Sequence, residues 1–178
     1  MQIEIKKANL LDYKDIAKVD VKSAIETYKV IMPNDYLYSR LENIENIENK
    51  VKERLENNFD YIVLLVDDNI VGYSLYLKSN DIIYLDSLYL LKEYHGMGLG
   101  KKLFLSTISD IVSKSYNSMY LYCAKDNKSC NFYEIMGAKK VDEIDYSFNN
   151  FVVKSIIYEF DNLNNILEKN NVKVLNLK

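Results

Sequence analysis

Glycine and proline are scarce: the chain has five glycines and one proline, Pro33, in 178 residues. Three of the five glycines fall at 96, 98 and 100. Against so sparse a background, that cluster marks a special backbone requirement. Cysteine is limited to Cys123 and Cys130, which excludes a disulfide framework and a cysteine-rich metal cluster. A single histidine, His95, cannot build a histidine-based zinc site. No apolar run approaches the ~20 residues needed to span a bilayer. The opening Met1-Gln2-Ile3-Glu4-Ile5-Lys6 lacks the apolar core of a signal peptide and reads as a strand. Positive charge is not in excess, with 23 Lys and Arg against 26 Asp and Glu. That weighs against nucleic-acid binding, which needs a dominant positive field. A cytoplasmic, metal-free protein is the expectation.

The remaining composition, 48% hydrophobic and 28% charged, is that of an ordinary globular domain. The length suits one domain able to bury roughly 70% of its unfolded surface. Ile3 and Ile5 alternate with polar residues, as in a strand. Ile16, Ala17, Val19, Ala24 and Ile25 recur at helical spacing over 11–28, and Leu41, Ile44, Ile47, Val51 and Leu55 do so over 41–57. Pro33-Asn34-Asp35 suits a helix start. Tyr61–Val66, Ile70–Leu77 and Ile82–Leu91 are apolar runs separated by Asp- and Asn-rich turns, so hairpins are expected. A helix over 101–115 presents Leu103, Phe104, Ile108 and Ile111 on one face. A strand at 118–124, a helix at 126–136 and strands at 138–146 and 151–160 follow. In the tail, Leu163, Ile166 and Leu167 suggest a short helix. The crossover between 82 and 124 predicts a parallel pair. The expected architecture is α/β (α+β): a mixed, mostly antiparallel sheet of about six to seven strands with helices on both faces. Residues 1–161 form the domain and 162–178 a C-terminal appendage.

The segment Tyr94-His95-Gly96-Met97-Gly98-Leu99-Gly100-Lys101-Lys102-Leu103 lies between a buried strand and a helix. Alternate glycines let successive N–H groups turn inward at a helix N-terminus, which makes a nest for phosphate or pyrophosphate. Lys101 and Lys102 add charge beside it. A Walker loop ending at Gly100-Lys101 would need glycine at His95 and Ser or Thr at Lys102. A dinucleotide G-x-G-x-x-G would need glycine at Lys101 or at Leu103. Both fail. The pattern [QR]-x-x-G-x-[GA] remains, read over His95–Gly100 with His95 in the Gln or Arg position.

With the preceding Leu88-Tyr89-Leu90-Leu91-Lys92-Glu93, this stretch resembles the acetyl-CoA motif of GNAT N-acetyltransferases. Asp126-Asn127-Lys128-Ser129-Cys130-Asn131-Phe132-Tyr133-Glu134-Ile135-Met136-Gly137-Ala138 resembles the family's second motif, N-x-x-[AS]-x-x-F-Y-x-x-x-G-[FA]. Asn127 stands one position later than the strict pattern, where Asp126 falls, and either is a candidate cap contacting the cofactor arm. The resemblance covers about residues 1–160. It implies the acyl-CoA N-acyltransferase fold and transfer of acetyl from acetyl-CoA to a primary amine of a small molecule or peptide, by direct attack in a ternary complex. The alternative is a non-catalytic acyl-CoA-binding module.

By the same resemblance, His95, Gly96, Met97, Gly98, Leu99, Gly100, Lys101 and Asn127 would bind the cofactor. Backbone N–H groups of Leu88, Tyr89 and Leu90 would be freed by a bulge. Tyr133 would lie near the sulfur as the acid. Asp86 is the candidate base; two-residue alternation puts it on the face of Tyr84, Leu88 and Leu90. Cys123 has no evident base beside it, so direct transfer is favoured over an acetyl-enzyme. Glu26 and Tyr28, where the first helix ends, are candidates for the acceptor cleft. No metal, nucleic acid or membrane is expected. The final strand and the tail are the segments able to carry a homodimer.

Overall fold

The computed structural model describes residues 1–148, 151–174 and 177; the end of the tail thus lies partly outside the described residues. The strands are β1 Ile3–Lys7, β2 Asp60–Val66, β3 Asn69–Ser79, β4 Ile82–Leu90, β5 Met119–Ala124, β6 Lys139–Phe148 and β7 Phe151–Phe160. The helices are α1 Tyr13–Tyr28, α2 Asn34–Glu42, α3 Ile44–Glu56, α4 Leu99–Ser113, α5 Ser129–Ile135 and α6 Leu163–Lys169. These seven strands form one sheet in the order β1-β2-β3-β4-β5-β7-β6. Only β4 and β5 are parallel; the other five pairings are antiparallel. The predicted mixed, mostly antiparallel architecture is therefore the observed one.

The continuous apolar run of β2 has a simple cause, since both of its faces are covered. Ile62, Leu64 and Val66 pack in one core cluster with Leu103, Phe104 and Ile108 of α4. Tyr61, Val63 and Leu65 pack in the opposite cluster with Ile16, Ala17 and Val19 of α1 and Val51 of α3. The two hairpin turns, Asp67-Asp68 and Asn80-Asp81, carry φ of 47° and 65°, then 47° and 64°. Two consecutive positive φ values define the primed turn that matches strand twist, and Asp and Asn tolerate it. The apolar face expected for α4 is confirmed: Leu103, Phe104, Ile108 and Ile111 are each 0% exposed. In α6, Leu163, Ile166 and Leu167 join that same cluster.

Buried polar groups pin the helices to the sheet. On the α4 side, Ser74 and Thr107 share a hydroxyl hydrogen bond of 2.6 Å. Asp110 is 1% exposed. Its Oδ2 accepts from the Tyr76 hydroxyl at 2.5 Å, and Lys7 Nζ lies 3.1 Å from its Oδ1. Lys114 Nζ stands 3.6 Å from Oδ2. Burial, together with the bond to Asp110, pushes the Tyr76 phenol well above its ordinary range. On the other face the Tyr73 hydroxyl donates to Asp20 of α1 at 2.5 Å, and Arg40 of α2 pairs with the same carboxylate.

A buried carboxylate that loses a donor keeps its desolvation cost. Tyr76→Phe should therefore destabilise the fold by about 1–3 kcal/mol, read as a lower urea midpoint with unchanged slope. Gly72→Ala should also destabilise, because a Cβ there would meet the Tyr89 carbonyl oxygen at 2.9 Å and Leu90 Cδ1 at 3.0 Å. The expected cost is about 1–3 kcal/mol.

Candidate active site

The site is made where β4 and β5 stop pairing. Their parallel register runs only through Tyr84–Tyr120 and Leu85–Leu121. Beyond it β4 continues along β3 to Leu90, and β5 continues along β7 to Ala124. The register of β3 against β4 slips at the same level: Leu75 faces Ser87 while Tyr76 faces Leu85, which leaves Asp86 as the extra residue. A bulge of this kind bends its strand and reverses side-chain parity. Before it, Ile83 and Leu85 face the α4 core; after it, Leu88 and Leu90 do. The expectation that Asp86 shares a face with Leu88 and Leu90 is thus overturned, because two-residue alternation does not survive the inserted residue.

The cleft opened by this divergence is narrow, about 40 Å³. Asp86, Ser87, Leu88 and Tyr89 line one side, Tyr122 and Cys123 the other, and Tyr28, Asn127 and Tyr133 border it. Tyr133, on α5, is 8% exposed. Its ring is held by Phe132, Phe104 and Tyr158 at centroid distances of 5.4, 6.2 and 6.4 Å. Its hydroxyl has no hydrogen-bond partner among the described residues. Burial, then the neighbouring Cys123, raises its pKa well above that of a free phenol.

Of the two cap candidates, Asn127 is the one that stands at the cleft. Its Oδ1 accepts from the Ser129 amide at 2.9 Å, the first residue of α5, and its side chain borders the cleft. Asp126 is exposed and borders nothing there. Asp86 carboxylate oxygens lie 3.7 Å from Arg54 and 2.9 Å from the donating Ser87 hydroxyl. Tyr28 is brought to the cleft beside Tyr89, and burial raises both phenols. Glu26 is not; it pairs with Lys29 and Lys92 outside the cleft, and those two lysines hold its carboxyl below the usual range. Cys123 is buried against Cys130, Sγ to Sγ 3.2 Å, and burial pushes its thiol far above the usual range.

The glycine loop stands at the end of β4. Gly96 and Gly98 have φ of 76° and 74°, left-handed values that side chains rarely adopt. A Cβ built on either meets nothing within 4 Å, so open space lies over the loop. Gly98 precedes α4, and the first hydrogen bond into the helix runs from the Lys102 amide to Gly98 O at 3.1 Å. The amides of Leu99, Gly100 and Lys101 therefore have no acceptor in the helix. Lys101 and Lys102 sit in this first turn, where the helix dipole disfavours cations unless an anion is present. His95 Nε2 lies 2.9 Å from Leu90 O, so its ring ties the loop back to β4. Leu99 is 1% exposed, leaving only its backbone to face a ligand. Met97 is exposed.

Free amides, open left-handed glycines and paired lysines make an anion nest, and the neighbouring cleft admits one slender chain. Together they define a class: an α/β protein with a glycine-rich loop at a helix N-terminus beside two splayed parallel strands. The chain belongs to the acetyltransferase (GNAT) family, whose sequence profile matches residues 22–138. It is 28% identical over 161 residues to the uncharacterized N-acetyltransferase YuaI of Bacillus subtilis, covering 86% of this chain and 90% of that one. The PaiA N-acetyltransferase of Thermoplasma acidophilum, solved with coenzyme A, superposes with a TM-score of 0.75 at 24% identity, over 90% of this chain and 99% of that one. The putative acetyltransferase YncA of Salmonella typhimurium, solved with acetyl-CoA, gives 0.70 at 16% identity, over 90% and 94%.

Sequence reasoning had no route to Tyr28 as a neighbour of Tyr89, nor to Arg54 as the partner of Asp86, since both contacts join segments more than a helix apart. Gly98 and Gly100 should separate two roles on substitution. Gly100 lies within α4, where a Cβ would approach only Leu90 Cδ2 at 3.8 Å. Gly100→Ala should stabilise the protein by about 0.5–1 kcal/mol in thermal melts. Gly98→Ala should instead cost about 1 kcal/mol, because its φ is positive.

Proposed function

We propose that this protein transfers an acetyl group from acetyl-CoA to a primary amine of a small molecule or peptide, by direct attack within a ternary complex. The observation that carries this reading is Tyr133, a buried residue bordering the β4–β5 cleft whose hydroxyl has no hydrogen-bond partner among the described residues. The amides of residues 99–101 and the lysine-flanked loop fit a pyrophosphate, and the cleft between the splayed strands would take the pantetheine arm. Acetyl-CoA when bound would supply the thioester; the remaining chemistry falls to the chain.

Backbone N–H groups of Leu88 and Leu90 would donate to the thioester carbonyl. The Leu91 N–H turns toward Val71 O of β3, so by alternation the Tyr89 N–H also faces β3, while those of Leu88 and Leu90 face the β4 edge that no strand covers among the described residues. Asp86 would draw the proton from the acceptor ammonium, directly or through water. Tyr133 would donate to the departing thiolate. A phenol near ~10 giving its proton to a thiolate whose conjugate acid lies near ~8.5 is already an uphill transfer, and burial steepens it. Tyr133 therefore acts chiefly as a fixed hydrogen-bond donor, held in place by its three ring neighbours. Cys123, kept as a neutral thiol by burial, is unsuited to carry the acetyl group. Asn127, whose carbonyl oxygen is occupied by its own helix, would offer its amide to the pantetheine arm.

Tyr133→Phe should lower kcat by about 10²–10³-fold while coenzyme A affinity in calorimetry changes little. Unchanged turnover would remove Tyr133 from the mechanism. Because the Tyr133 pKa is raised, the wild-type rate should show no alkaline fall from phenol ionisation up to about pH 10. Asp86→Asn should lower kcat/KM most at neutral pH. Its defect should shrink as pH approaches the amine pKa near ~10.4, because the acceptor then sheds its proton unaided; a pH-independent defect would remove Asp86 as the base. A thiol-release assay over an amine panel tests the activity itself, since a pure acyl-CoA binder would release none.

A further inference from the structure

A second cavity lies apart from the β4–β5 cleft and shares no lining residue with it. It encloses about 570 Å³, within the range of small-ligand sites. Its walls are the first turn of α4 at Lys101, the end of α5 at Ile135, the start of β6 at Lys139, and α6 through Asn162, Asn165 and Lys169. Lys101 belongs to both this cavity and the phosphate loop, so the cavity begins where the loop ends. Three ammonium groups line it against a single carboxylate, Asp161, which is already paired with Lys139. Lys101 and Lys169 have no anionic partner among the described residues. Lys101 also sits against the unfavourable end of the α4 dipole. At the rim, Ile135 is 74% exposed, an uncovered apolar surface suited to the face of a base.

Coenzyme A carries an adenosine 3′-phosphate beyond its pyrophosphate. With the acyl end in the cleft and the pyrophosphate at 98–101, that half still has to be placed. We infer that α6 completes the cofactor site: the basic cavity takes the nucleotide end of coenzyme A, and Lys169 pairs with its 3′-phosphate. The inference rests on the acetyl-CoA reading above and adds to it. α6 lies beyond the residues matched by the family profile, which ends at 138. Docking of Leu163, Ile166 and Leu167 into the main core fixes α6, and with it Lys169.

The test compares coenzyme A with dephospho-coenzyme A, which lacks only the 3′-phosphate, by calorimetry on the full chain. The wild type should bind coenzyme A about tenfold more tightly, as one charge-assisted contact implies. Lys169 is exposed at the end of α6, so Lys169→Ala should fold normally. It should weaken coenzyme A by most of that factor and leave dephospho-coenzyme A nearly unchanged. Equal wild-type affinities for the two ligands would overturn the inference, as would a Lys169→Ala variant that weakens both alike or neither. If the wild type binds neither ligand, the acetyl-CoA reading falls as well, which separates that failure from this one.

Discussion

The parting of two parallel strands governs the rest of this structure. After Leu85–Leu121 the β4–β5 ladder ends, and backbone groups that would pair in a closed sheet face a cleft instead. Unpaired buried backbone is costly, so a sheet that opens in its middle needs a ligand or solvent to satisfy it. The bulge at Asp86 is the local device. It bends β4 away, reverses the parity of its side chains, and leaves Asp86 at the mouth while Leu88 and Leu90 stay in the core. The cleft is possible because β3 and β7 hold the two diverging strands from outside.

Keeping such a gap open requires rigid walls. On one face, α4 is fastened to β3 by the Ser74–Thr107 and Tyr76–Asp110 bonds, one turn apart along the helix. This fixes the direction from which its N-terminal amides meet a phosphate. On the other face, Asp20, Arg40 and Tyr73 join α1, α2 and β3, and Tyr28 reaches Tyr89 at the cleft wall. The polar groups buried here are nearly all paired; among the described residues only Ser23 Oγ and Arg40 Nε lack a partner. Rigid placement matters for Tyr133 in particular, because a phenol made less acidic by burial can act on a thiolate only through position.

Binding and chemistry are thus divided along one path. On the proposed reading, helix-terminus amides and lysines would grip charge and the splayed strands would admit a thin arm, while Tyr133 and Asp86 border the cleft. On the inferred extension, α6 lengthens the path at the nucleotide end. The division explains why the glycines, so few elsewhere, concentrate at the loop, where backbone must approach phosphate without side chains intervening.

Much of this was written in the sequence. Helical spacing in α1, α3 and α4, the apolar runs of β2 to β4 and the turn chemistry at Asp67-Asp68 and Asn80-Asp81 are local patterns, and local patterns report local structure. The spacing of Gly96, Gly98 and Gly100 likewise marked the left-handed turn before α4, and that of Asn127 and Tyr133 the segment that borders the cleft. The sequence could not place the bulge, because an inserted residue changes parity without changing composition. Nor could it pair Asp86 with Arg54, or Tyr28 with Tyr89, or choose Asn127 over Asp126. Those outcomes depend on which distant segments meet across a folded sheet, and only tertiary packing decides that.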